Sequence, residues 1–390
     1  MLFENFVAES KEFFNSYYCH LSTQLQEGVL SIDDNVVIYP SMALFCQCGD
    51  YYIVELLGAT NTYDGLISKR HKEKSIHRYL SQFELEDHQP LVHLDGSNNG
   101  FINLCMAQEY DVDEVARRFP LLELYPTKLV RVGGSGSPIS FGDNFSSFFM
   151  SNCVLVNVND GLFRCKNILT MFVVRKSINK RELHDAFKDS LSDKRLKFVH
   201  VASEAREKKL IVAGQLQSIY LFPSLHETTI GEFLKLHPKI IEDAFKATKF
   251  IYEPYLEWKE HDGTCEDTAI NPDLLLERED GNYDIYDLKT ALLTKKSLTK
   301  AGRSRRRFID YVEEGVAQLA NYREYFSYSL NIKHAYEKYG IKVNLPKLVL
   351  VVGSWENAPI EEVKQARRRY PDVEIIDYDT LCHQFIGVEG

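Results

Sequence analysis

Two short apolar runs split by Glu279-Asp280-Gly281 constrain this chain more than any other part of it. In NPDLLLEREDGNYDIYDLKT, residues 271–290, each run has the length and alternation of a strand, and the glycine suits the left-handed position of a bulged three-residue hairpin loop. That loop sets Asp273 across from Asp287. A two-residue Asp-Gly turn would instead pair Asp273 with Leu288 and send the two carboxylates to opposite faces. A shared site therefore requires the bulged turn, or an Asp273 lying just before its strand. Alternation also places Asp287 and Lys289 on one face while Leu288 points the other way, into a core. Hydrolysis of a phosphodiester uses such a set: hard carboxylate oxygens for a divalent cation, and a group that activates or orients the attacking water. Taken alone, Asp-Leu-Lys is a polar-apolar-polar strand, and most such triplets are structural.

The surroundings change that reading. Apolar periodicity predicts a helix over 227–247, strands over 250–258, 273–278 and 283–290, a long helix over 308–330 and a strand over 347–353. Helix, three strands, helix, strand is the αβββαβ order of a restriction-endonuclease-like core. The expected fold class is mixed α/β, with that core preceded by a strand-rich α+β region. At 390 residues the chain exceeds what one hydrophobic core serves. The expected domains are 1–220 and 221–390.

Four pieces standing in order, HETTIGEFLKLHPKII, INPDLLLE, YDIYDLKT and AQLANYREYF, make residues 225–390 similar to the Shedu antiphage defence proteins. The carboxy-terminal domain of that family belongs to the PD-(D/E)XK nuclease superfamily. The resemblance implies a metal-dependent DNA endonuclease. Asp273 and Asp287 would hold Mg2+ or Mn2+ with help from the Leu288 carbonyl, and Lys289 would position water or stabilise charge on the phosphate. Glu227 corresponds to the helical acid, an outer ligand or metal-positioning group, with Glu232 as the alternative. Gln318 matches the family's helix glutamine, and Tyr322, one turn on, shares its face and would meet the DNA or brace the site. Against these roles, acids near a helix start favour the macrodipole in any case, and aromatics on such a helix are commonly packing. The family further implies phage double-stranded DNA as substrate, a homotetramer, an amino-terminal region that senses or regulates, and a phage-protein trigger.

A basic run supports a polyanionic substrate. Lys295, Lys296, Lys300, Arg303, Arg305, Arg306 and Arg307 fall within KKSLTKAGRSRRRF without an acid, and read as a phosphate-gripping loop after the catalytic strand. The bland alternative is a solvated loop or a contact with an acidic patch. The chain as a whole has 46 basic against 56 acidic residues and a formal charge of -10, so any nucleic-acid binding must be local.

No apolar run approaches bilayer length, and the opening MLFENFVAESKEFF carries acids where a secretory signal is basic, so a cytoplasmic protein is expected. Cys46 and Cys48 are too close for Cys-x-x-Cys spacing, and the eight cysteines read as reduced and apolar. In the amino-terminal half, Phe3, Phe6, Val7, Phe13, Phe14 and Tyr17 mark one face of a helix. Strands are predicted over 36–40, 42–46, 51–57, 153–158, 162–174, 196–201 and 210–221, with a hairpin turn at Asn159-Asp160-Gly161 and a helix over 180–191. Gly133-Gly134-Ser135-Gly136 reads as a loop, since no Lys-Ser/Thr pair completes a P-loop. The basic segment 68–78 reads as the wet face of a helix.

Two other readings stand beside the defence nuclease. One is a restriction, repair or junction nuclease on the same fold, because fold does not fix substrate. The other is a module that binds DNA or a phage protein without cutting.

Overall fold

The computed structural model describes residues 1–82, 101–107, 116–124, 128–131, 147–159, 162–191, 196–222, 225, 227–263, 267–293, 297–301 and 305–387. The Gly133–Gly136 loop, the tip of the hairpin at Asp160-Gly161, and Lys295, Lys296 and Arg303 lie outside these residues. The chain divides into two compact units, Met1–Ser224 and Leu225–Gly390. Each is mixed α/β and each is built on one large mixed sheet.

In the amino-terminal unit, helix α1 (Phe3–Gln26) precedes β1 (Val36–Ile38), β2 (Met42–Cys48), β3 (Tyr51–Leu57), β4 (Ile67–Glu73) and helix α2 (Ile76–Ser81). Strands β5 (Phe101–Ala107), β6 (Lys128–Arg131), β7 (Ser147–Asn159) and β8 (Leu162–Arg175) follow, then α3 (Lys180–Ser190), β9 (His200–Ala202) and α4 (Ala205–Tyr220). The sheet order is β4-β2-β3-β8-β7-β5-β6, and β1 pairs separately with β9. The aromatic stripe of α1 is buried within its own unit. Phe6 meets Phe45 at 6.2 Å and Phe14 meets Phe172 at 5.7 Å, both on one face of the sheet. Cys46 and Cys48 are buried and unbonded on β2.

Three expectations fail in this unit. The strand expected over 196–201 is extended only from His200, in β9, and Phe198 before it has φ +59°. Residues 210–221 are helical, not extended: every side chain from Leu210 to Tyr220 on α4 is buried, so the segment lacks the polar stripe that marks helical periodicity. Residues 68–78 do not form a helix face. Most of them lie in β4, an edge strand parallel to β2, and only the end enters α2, whose N-cap Ser75 accepts from the Arg78 amide. Charged side chains on an edge strand discourage further strand pairing.

The carboxy-terminal unit opens with α5 (Glu227–Leu236) and α6 (Pro238–Phe245). One helix over 227–247 was expected. Pro238, which cannot donate to a preceding turn, instead starts a second helix. Then come β10 (Lys249–Tyr252), β11 (Leu256–Glu257), β12 (Ala269–Ile270), β13 (Leu274–Glu277) and β14 (Tyr283–Leu288). The expected 250–258 strand is likewise broken, at Glu253-Pro254, where Glu253 has φ +45°. A ribbon, β15 (Thr299–Ala301) and β16 (Arg306–Phe308), leads into α7 (Asp310–Tyr325). Helix α8 (Ser329–Tyr339), β17 (Leu348–Val351), α9 (Ile360–Arg367), β18 (Val373–Ile376) and α10 (Tyr378–Gly387) complete the unit. The sheet order is β10-β13-β14-β17-β18: the first three strands are antiparallel neighbours, and β14, β17 and β18 run parallel. Central β14 is buried along its whole length, as a strand covered on both faces must be. Helix α7 packs on the face bearing Tyr283 and Ile285, through Val312, Val316 and Leu319.

Among the described residues no helix is long and apolar enough to cross a membrane.

Candidate active site

The hairpin register places the acids. Leu274 pairs with Tyr286 and Glu277 with Tyr283, while the Arg278 amide donates to Asn282 O at 2.8 Å. Glu279, Asp280 and Gly281 are thus the three loop residues, with Gly281 at φ +77°. Carried one step past Leu274 and Tyr286, the same register sets Asp273, just before β13, across from Asp287 near the end of β14. The two carboxyls face each other on the side of the sheet that α7 covers.

Their surroundings are dry and poor in donors. Asp273 Oδ2 accepts from the Leu288 amide at 2.6 Å. The contact seen with Leu288 is therefore through its N–H, while the side chain packs away as the alternation requires. Asp287 is fully buried, and its Oδ1 accepts no hydrogen bond. Lys289 Nζ lies 2.8 Å from Asp287 Oδ2 and donates to Gln318 Oε1 at 2.8 Å. Gln318 Nε2 in turn donates to the Tyr322 hydroxyl, which donates to the Asn271 carbonyl at 3.3 Å. Helix and hairpin are thereby joined through a chain of polar groups that begins at Lys289.

Burial is the main cause that raises Asp273, to about 7, and the negative charge of Asp287 adds to it. The Leu288 amide and Lys289 pull the other way. Burial also raises Asp287, opposed by Lys289. For Lys289, burial disfavours the charge, but Asp287, Asp273 and Glu227 outweigh it, so the ammonium is held above its usual range.

Glu227 stands at the start of α5, and its Oε1 accepts from the Tyr311 hydroxyl. That hydroxyl also accepts from the Thr290 amide at 3.1 Å, which ties the helical acid to the residue after Lys289. Glu232 is exposed. Sequence reasoning missed Tyr311. On α7, residues 311, 315, 318 and 322 form one stripe at helical spacing, so the pair Gln318 and Tyr322 already pointed to it. The stripe includes Gly315, where a Cβ would sit 2.9 Å from Leu350 Cδ1 and 3.4 Å from Lys289 Cε. A hydrogen there lets the helix approach closely.

The remaining candidates separate. The Tyr322 ring is buried at 4% exposure, so it braces the site from within rather than presenting a surface to phosphate. Lys300, Arg305, Arg306 and Arg307 are not on a simple loop. They belong to the β15–β16 ribbon and the residue preceding β16, and Arg306 is taken up by Glu362 at 2.6 Å. The long helix expected over 308–330 begins only at Asp310, because Phe308 ends the ribbon.

Among the described residues, no three His, Cys, Asp or Glu side chains are grouped closely enough to hold a metal. The donor set that does exist is a pair, Asp273 and Asp287. Two facing, desolvated carboxyls, one with an oxygen lacking any donor, fit a hard divalent cation that takes one or two carboxylates and keeps several waters. No protein-family model matches the chain, and no curated protein is found to be similar to it.

Proposed function

We propose that the carboxy-terminal unit is a divalent-metal-dependent DNA endonuclease on a PD-(D/E)XK core, acting in antiphage defence as the resemblance to the Shedu family implies. The observation that carries the reading is the meeting of Asp273, Asp287 and Lys289 on one side of the sheet, with Lys289 held between Asp287 and Gln318 at 2.8 Å each. The element order from α5 to β17, with antiparallel β10, β13 and β14 followed by parallel β17, supports the same core.

Asp273 and Asp287 are the residues that would hold Mg2+ or Mn2+. When bound, such an ion supplies charge to the scissile phosphate and acidifies a water. The chain's own contribution is order. Lys289 brings a positive charge to where the phosphate gains negative charge, and Gln318 fixes its direction. The Leu288 side chain anchors the strand in the core, and its amide orients Asp273. Tyr311 holds Glu227 facing the site, where its charge favours the Lys289 ammonium. On this reading the substrate is double-stranded phage DNA, the working form is a cytoplasmic homotetramer, and the amino-terminal unit governs activity, with a phage protein as the trigger.

A second reading has one observation in its favour. Lys289 already neutralises Asp287, and no third acid joins the pair among the described residues, which suits a non-cleaving DNA-binding module. Incubating the purified chain with plasmid and linear DNA, with Mg2+ or Mn2+ and with chelator, beside Asp273→Ala and Lys289→Ala, separates the two. Cutting that needs the cation and is lost in both variants supports the nuclease. Chelator-insensitive binding without cutting supports the module.

A further inference from the structure

The basic run after β14 is sorted by strand alternation into two sets with different tasks. In the β15–β16 ribbon, Thr299 pairs with Phe308, Lys300 with Arg307 and Ala301 with Arg306. Opposed residues share a face and successive residues alternate. Thr299, Arg306 and Phe308 therefore form the inner face. Phe308 is in the core, and Arg306 Nη2 lies 2.6 Å from Glu362 while its Nη1 donates to Thr299 Oγ1 at 3.2 Å. The same Glu362 carboxylate accepts from Thr299 Oγ1 at 2.7 Å and Ser297 Oγ at 2.9 Å, clamping the ribbon to α9. Lys300 and Arg307 form the outer face, and Arg305 stands at the bend that leads into β16. Arg305 and Arg307 are exposed. The acid beside them is Asp310, which pairs with Lys300 and also feels Arg307.

We propose that the outer face of this ribbon, through Arg305 and Arg307, clamps the phosphate backbone of duplex DNA beside the Asp273–Asp287–Lys289 site, while Arg306 is the pin that holds the ribbon in place. The identification of the polyanion as duplex DNA rests on the nuclease reading; the sorting of the arginines does not. Arg305 and Arg307, two residues apart along the chain and both exposed, carry the forked guanidinium donors that suit phosphate oxygens. The ribbon is well placed for the task. It passes through Ile309, whose amide donates to Leu298 O at 2.9 Å, directly into α7, the helix that carries Gln318 and thus orients Lys289. Contacts of this kind set register and orientation on the duplex without reading its sequence.

The test is equilibrium binding of a fluorescent duplex to the full chain in chelator, across a salt series, with urea unfolding followed in parallel. The doubly substituted Arg305→Ala, Arg307→Ala chain is expected to bind roughly tenfold or more weakly, with a salt slope shallower by about 2 and an unchanged urea midpoint. Arg306→Ala is expected to lower the urea midpoint. A wild-type chain that does not bind duplex would overturn the proposal, as would an unaltered salt slope in the double variant. So would polyglutamate competing as well as unlabelled duplex, since that marks a patch taking any polyanion. Cutting is not read in this assay, so a failure of the catalytic assignment, seen as persistent cleavage by Lys289→Ala, is a separate result.

Discussion

Lys289 Nζ sits midway in a relay, 2.8 Å from Asp287 Oδ2 on its own strand and 2.8 Å from Gln318 Oε1 on α7. The first contact fixes its charge and the second fixes its direction. Gln318→Leu keeps the ion pair but removes the second tether, so the ammonium is free to swing. Misplacing a catalytic group by about 1 Å lowers rates by roughly 100-fold. On the nuclease reading, the expected result is a fall in cutting rate of that order with cation affinity nearly unchanged, measured by single-turnover cleavage and by calorimetric titration of Mn2+. Equal loss of cation affinity would show that Gln318 acts on the acids instead.

Gly315 tests how closely α7 must approach. A methyl there meets Leu350 Cδ1 at 2.9 Å and lies 3.4 Å from Lys289 Cε, inside a packed core. Gly315→Ala should destabilise the unit by about 1–3 kcal/mol through overpacking, although alanine is the better helix former. The two tryptophans, Trp258 and Trp355, both lie in the carboxy-terminal unit, so urea unfolding followed by their fluorescence isolates it. A stabilised variant would show that the helix has room to shift.

What the sequence revealed, and what it hid, follows from the range of the interactions. The hairpin was legible because Glu279-Asp280-Gly281 fixes register locally, and register alone carries Asp273 to Asp287. The Tyr311–Glu227 hydrogen bond spans 84 residues, and no local pattern announces it. The β15–β16 ribbon read as a loop because strands of three residues, Thr-Lys-Ala and Arg-Arg-Phe, are too short and too polar to show an apolar alternation. Helix α4 read as a strand for the opposite reason. It is apolar on every side, so the 3.6-residue period vanished where burial was complete.

The acid pair sets a pH dependence with a definite sign. Burial, with Asp287 adding to it, raises Asp273 to about 7, against roughly 3.9 in an unfolded chain. A carboxyl raised in this way contributes stability that is fully present below about pH 4 and is lost as pH rises through about 7. In chelator, the urea midpoint reported by tryptophan should therefore fall between about pH 4 and about pH 7 and level off above. Asp273→Asn should remove much of that fall. On the nuclease reading a divalent cation needs the ionised form and should act in the opposite direction, with affinity and cutting both rising through about pH 7. A midpoint equally pH-dependent in Asp273→Asn would assign the effect to other groups.

The strictest test of the proposed site is one that leaves each of its side chains in place. Inserting one alanine between Glu277 and Arg278 keeps the three-residue loop of the β13–β14 hairpin but moves β13 by one residue against β14. In that register Asp273 stands opposite Leu288, and its carboxylate points to the face away from Asp287 and Lys289. On the nuclease reading, cutting should fall to the level of Asp273→Ala, and the pH dependence of the tryptophan-reported transition should flatten as in Asp273→Asn. Moving the insertion outside the hairpin, beside Gly263 in the segment before β12, should leave cutting intact and controls for chain lengthening. Full activity in the Glu277 insertion would mean that Asp273 does not act from the position opposite Asp287.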